Sequence, residues 1–138
     1  LNKISGPLLD RIDIHVEVVP VPFRELSSHR VSEKSEAVRG RVVNARMKQE
    51  ERFKESKGVY CNAQMSSKQL RQICHITEEG QALLKNAMDK LSLSARAYDR
   101  ILKVARTIAD LAESPDIKTE HLAEAIHYRS LDRETWGG

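Results

Sequence analysis

Aromatic residues are scarce: Phe, Trp and Tyr make up 4% of the 138 residues. A β-sandwich core is therefore disfavoured, and helices with Leu, Ile, Val and Ala interiors are expected. No apolar run reaches 18 residues, so no membrane span is expected. No secretory leader opens the chain, and a cytoplasmic location is expected. Cys61 and Cys74 lack a CxxC spacing, and Cys74-His75 has no ligand-like spacing to His121 or His127. They read as reduced thiols of a cytoplasmic protein, with no metal site. Glycine is sparse, and none precedes a lysine: Gly6, Gly40, Gly58, Gly80 and Gly137 are followed by Pro, Arg, Val, Gln and Gly. The phosphate-cradling loop GxxxxGK[ST] is thus absent. No apolar strand ends in paired acids that would hold magnesium.

What is present is charge and helical periodicity. Charged residues reach 31% against 40% hydrophobic, and the formal net charge is +3. That is too mild a positive excess to establish nucleic-acid binding on its own. The length suits one domain, or one domain and a piece of another. The chain begins Leu1-Asn2-Lys3, without methionine, and runs straight into a motif, which suggests a fragment of a longer protein.

That motif is Ser5-Gly6-Pro7-Leu8-Leu9-Asp10-Arg11, followed by the alternating run Ile12-Asp13-Ile14-His15-Val16-Glu17-Val18. Alternation predicts a strand with one face buried. Arg11 then stands where a short helical turn meets the strand. A guanidinium on that tether can reach a phosphate on a neighbour; the plainer reading is a surface arginine paired with Asp10 or Asp13. Pro20 and Pro22 keep the following segment extended.

From about Ser32 to Lys57 the composition turns helical, capped by Ser32 or Ser35, with a thin apolar face of Ala37, Val38, Val42, Ala45 and Phe53. Nine basic and five acidic residues between positions 30 and 57 give this segment +4. It could meet DNA phosphates or a partner subunit, or be a solvated helix with charge pairs at helical spacing. Beyond it, Ser66-Ser67-Lys68-Gln69 matches a capping box, with Leu70 and Ile73 inward. Thr77 is placed to cap a helix whose buried stripe is Ala82, Leu83, Leu84, Ala87, Met88 and Leu91. The clearest helix runs from about Ser94 to Ala112, with Ala97, Ile101, Val104, Ala105, Ile108 and Leu111 on one face. Arg96, Arg100, Lys103, Thr107 and Asp110 recur on another. Thr119 is placed to cap a last helix through about Leu131, with Leu122, Ala125 and Ile126 inward. Arg96 falls in the first turn of its helix, where free backbone N–H groups and the helix dipole favour phosphate. Arg100 lies one turn on, in support; a solvated basic face is the alternative.

The segments SGPLLDRIDIHVEV, LSLSARAYDRILKVARTIADL and IKTEHLAEAIHYR together resemble the C-terminal end of the magnesium-chelatase-like AAA+ ATPases, in particular the bacterial competence-protein (ComM-type) branch. The resemblance is dense at 4–18 and 91–129 and thinner across the charged helix. It implies a mainly α fold: a helical AAA+ lid preceded by one core β-strand and a long charged connecting helix. The implied divisions are 1–22 for the end of the AAA+ core, 23–62 for the connector and 63–138 for the lid. It implies that Arg11 is an arginine finger acting in trans on a neighbour's γ-phosphate, and that Arg96 is the sensor-2 arginine, contacting nucleotide on its own subunit. ATP and Mg2+ would serve the full-length protein, with none expected bound to this fragment. The implied partners are the upstream AAA+ core of the same polypeptide and a homo-oligomeric ring, a hexamer, with DNA as a further candidate and no membrane. The phosphate loop, magnesium acids and first sensor are missing, so this chain alone should not hydrolyse ATP.

Three functions follow. The branch implies ATP-driven branch migration of DNA. A chelatase-like motor would instead insert a metal into a macrocycle or remodel a protein. A non-catalytic helical module would bind a partner protein or nucleic acid through Ser32–Lys57.

Overall fold

The computed structural model describes residues 5–27 and 32–134, with the side chains of Asp10 and of 130–134 left aside. Among these, seven α-helices follow one another: α1 Gly6–Arg11, α2 Phe23–Leu26, α3 Ser35–Arg52, α4 Ser67–Ile73, α5 Glu78–Leu91, α6 Ala95–Leu111 and α7 Thr119–Glu134, with a 3-10 turn at Asn62–Gln64. The expected mainly helical fold is present.

Local chemistry sets most of the helix starts. Ser66 and Gln69 form the reciprocal capping box at α4. Thr77 Oγ1 accepts the Gly80 N–H at α5, and Ser94 Oγ accepts the Ala97 N–H at α6. α3 departs from expectation. It begins at Ser35, its N-cap is Lys34, and no side chain caps it, so neither Ser32 nor Ser35 has that role. Thr119 likewise lies inside α7 as its first residue.

α6 is the centre of the helical body, packing against α3, α4 and α7, while α5 packs on α7. The core joins Phe53, Met65, Leu70, Cys74, Leu84, Ile101, Leu102, Ala105, Ala109, Ile117, Leu122 and Ala125. Leu70, Leu84, Ile101 and Leu122 are fully buried, each contributing about 1.5–3 kcal/mol. α5 approaches α7 closely at Gly80, where an added Cβ would stand 2.9 Å from Leu122 Cδ1. Ala45, Gln49 and Phe53 bury the end of α3 against this body, while residues 32–44 are exposed.

The expected strand is not formed among the described residues. Residues 12–22 are extended but join no ladder. A strand needs a neighbour offering backbone donors and acceptors, and the described chain is otherwise helices and loops. Nor is the apolar face buried, and on the polar face only His15 is. His15 is buried, whereas Ile14, Val16 and Val18 are open, Val16 at 66% and Val18 at 88% exposure. No helix among the described residues is long and apolar enough to cross a membrane.

Candidate functional site

Arg11 is the last residue of α1. Ser5 Oγ accepts the Leu8 N–H at the start of that turn, Pro7 lies in its first turn, and Leu9 is buried. The turn ends where the Ile12 N–H reaches the Leu9 carbonyl at 3.1 Å and the backbone becomes extended. The Arg11 side chain is exposed. Its expected alternative partner Asp13 is engaged elsewhere, and the Asp10 side chain lies outside those described.

The backbone beyond Arg11 is fastened to the helical body at three points. Arg129, 0% exposed, donates from Nη1 to the Ile12 carbonyl. Asp13 Oδ1 accepts from Arg100 Nη1 at 2.6 Å. The His15 N–H donates to the Tyr128 carbonyl at 2.9 Å. The His15 ring folds back, with Nε2 3.3 Å from the Leu9 carbonyl.

Arg96 stands in the first turn of α6, two residues past the Ser94 cap, with its side chain exposed. Arg100, one turn on, is partly buried and points to Asp13. The structure therefore places Arg96 and Arg100 on one helix face and brings Arg100, through Asp13, to the segment that carries Arg11.

The other polar residues of α6 do not form a solvated face. Asp110 is 1% exposed. Arg52 grips it in bidentate fashion at 2.7 and 2.9 Å, Asn62 Nδ2 donates at 2.9 Å, and Arg106 lies at 3.2 Å. Burial pushes the Asp110 carboxyl upward, but the Arg52 and Asn62 hydrogen bonds and the two guanidinium charges outweigh it and hold it below the usual carboxylate range. Asn62 also donates to Thr107 Oγ1 at 3.0 Å, and its N–H reaches Gln49 Oε1 at 2.9 Å. Arg106 further donates to the carbonyls of Ser114 and Pro115, closing the turn after α6. The spacing of Arg106 and Asp110, four residues apart, was the local hint of this network.

The network narrows what the charged α3 offers to a partner. Arg52 is consumed by Asp110, Arg41 pairs with Glu33, and Lys54 pairs with Glu51 at 2.7 Å. Arg39, Arg46 and Lys48 remain exposed, with no ion-pair partner among the described residues.

An apolar groove of about 400 Å³ runs between the extended segment, α6 and α7, lined chiefly by Ile14, Val16, Val104, Ile108, Leu111 and Tyr128. A second cavity, about 660 Å³, lies between α4, α5 and α6 and includes Cys74, His75 and Asp99. Burial pushes the Cys74 thiol up to about 11, so it is a poor nucleophile at neutral pH. His121 Nδ1 accepts the Lys118 N–H at 2.9 Å. Among the described residues no group of three or more His, Cys, Asp and Glu could hold a metal ion. Exposed guanidinium groups, those of Arg11 and Arg96 among them, are of a chemistry suited to phosphate.

Comparison with known proteins agrees with the helical architecture. The chain is 42% identical over 135 residues to the Uncharacterized protein YifB of Escherichia coli, covering 96% of the chain and 26% of that protein. It is 42% identical over 134 residues to the Competence protein ComM of Haemophilus influenzae, covering 96% and 25%. A Mycobacterium bovis relative, Uncharacterized protein Mb2921c, is 34% identical over 129 residues, covering 94% and 25%. The chain thus spans about a quarter of the length of these relatives. The family described as magnesium chelatase, subunit ChlI C-terminal, matches residues 32–129, and the chain belongs to that family.

Proposed function

We propose that this chain is the arginine-finger and lid portion of a ring-forming AAA+ ATPase, and that the whole protein is a DNA-acting motor of the competence-protein type. The observation that carries the reading is the disposition of Arg11 and Arg96. Arg11 projects into solvent from a turn whose backbone is anchored, and Arg96 emerges at the capped N-terminal turn of α6. Both are rigidly based and open to a ligand, which suits phosphate recognition across and within subunits.

In this reading Arg11 reaches the γ-phosphate bound by the neighbouring subunit and stabilises the charge that develops during transfer, an effect of about 10³–10⁵ in rate. Arg96 holds nucleotide on its own subunit and relates the nucleotide state to the orientation of α6. The chain supplies guanidinium donors that fit a triphosphate. Among the described residues it supplies no carboxylate cluster for magnesium, so ATP and Mg2+ are assigned chiefly to the part of the longer protein outside this chain. Bound Mg2+ there would neutralise phosphate charge.

The test is Arg11→Ala in the full-length protein. ATP turnover should be abolished while ATP binding is largely kept; unchanged turnover removes Arg11 from the reaction. Branched DNA should bind and raise turnover. The family description favours a second client, a chelatase-like metal-insertion or protein-remodelling target, and that reading gains if branched DNA neither binds nor stimulates.

A further inference from the structure

Arg11 and Arg96 are far apart in the chain, yet one ion pair stands between them. Asp13, two residues past Arg11, accepts from Arg100 at 2.6 Å. Arg100 is one turn past Arg96 on α6, about 6 Å along the axis at 1.5 Å per residue. The intervening Ile12 carbonyl is held by the buried Arg129, and the His15 N–H is held by the Tyr128 carbonyl. The Arg11 side chain is therefore free to reach outward, but the backbone that aims it is bolted to α6 and α7.

We infer that the Asp13–Arg100 pair is a positioning device that ties the direction of Arg11 to the orientation of α6, so that nucleotide contact at Arg96 in one subunit alters how Arg11 is presented to the next. This rests on the function proposed above. A half-exposed pair, with Arg100 at 29% and Asp13 at 45% exposure, contributes little to stability. Its consequence is geometric. Removing it takes away the side-chain hydrogen bond between the Arg11 segment and α6 among the described residues, and leaves the Arg129 and Tyr128 contacts on α7 and the apolar groove. Movement of α6 then reaches Arg11 only indirectly, through α7 and the apolar groove, and no longer through a directional contact next to Arg96. Arg100 is in this account a positioning residue, acting through Asp13, and not a phosphate ligand. The coupling is between two exposed arginines through one side-chain contact whose geometry both sides bias.

The experiment uses the full-length protein with Asp13→Ala, the exchanged pair Asp13→Arg with Arg100→Asp, and Arg11→Ala as reference. Turnover, ATP affinity and the cooperativity of turnover with ATP concentration are measured for each. Asp13→Ala should lower kcat by a factor on the order of 10–10², as for a displaced reacting group. ATP affinity should stay within about twofold, because the lost interaction is made in the transition state. Cooperativity should fall towards none, and the exchanged pair should recover most of the rate. If Asp13→Ala does not fold, Asp13→Asn is read in the same way, since it keeps the shape and removes the charge. Wild-type kcat and cooperativity in the Asp13 variant, with Arg11→Ala inactive, overturn the coupling and leave the finger standing. Failure of the exchanged pair to recover any rate also overturns it. Normal turnover in Arg11→Ala overturns the function on which the inference rests, whatever Asp13 does.

Discussion

Asp110 shows how one residue can decide the packing of three elements. Its carboxylate is buried with Arg106 and receives Arg52 and Asn62 from outside α6. Asp110→Asn should destabilise the domain by about 3–5 kcal/mol, because it leaves buried guanidinium charge uncompensated. Urea unfolding measures this; a loss below about 1 kcal/mol would mean the network relaxes freely. The pH dependence has a definite sign. The folded-state pKa is lowered, so the contribution is present above the unfolded value of about 3.9 and is lost as pH falls through the lower folded value. The wild type should lose stability across that acid window, and Asp110→Asn should lack this part of the loss.

Helix ends carry the clearest local information. Ser94→Ala should cost about 1 kcal/mol by removing the acceptor for the Ala97 N–H, while Ser94→Gly should cost only a few tenths. Thermal unfolding of the two variants distinguishes a lost cap from general disruption. The starts at Ser66, Thr77 and Ser94 were legible because a cap and its partner lie within three residues. The apolar stripes of α4, α5 and α7 were legible through helical spacing. The inner side of α6 was legible at Ala97, Ile101 and Ala105, which are buried, but not at Asp110. Its periodicity grouped Asp110 with the outward polar residues, and its burial depends on Arg52, 58 positions away. The Asp13–Arg100 contact joins residues 87 positions apart, beyond any local pattern. Alternation in Ile12–Val18 predicted a strand that is not formed among the described residues, because pairing and the covered face depend on what else lies against the segment. Arg11 and Arg96 were legible as residues at helix ends. Their roles as finger and sensor rest on the family resemblance.

At the scale of the molecule, the helical body has its own core, while the N-terminal segment borrows its order from α6 and α7. The isolated chain should therefore fold over α3–α7 and, under the proposed function, show negligible ATP hydrolysis, since Arg11 and Arg96 would there act on nucleotide held outside this chain; a phosphate-release assay on the purified chain checks this. Strong binding of nucleic acid by the isolated chain, weakening with salt, would favour the binding-module reading through Arg39, Arg46 and Lys48 instead. The open side of residues 14–19 carries a further consequence. Apart from the His15 N–H, which Tyr128 holds, no backbone hydrogen bond joins residues 14–19 among those described, and the exposed Ile14, Val16, Val18 and Val19 are a template on which another strand could grow, the hazard that starts fibrils. Pro20 and Pro22 have no N–H to lend to such growth. Any added strand would therefore be limited to the few residues before them.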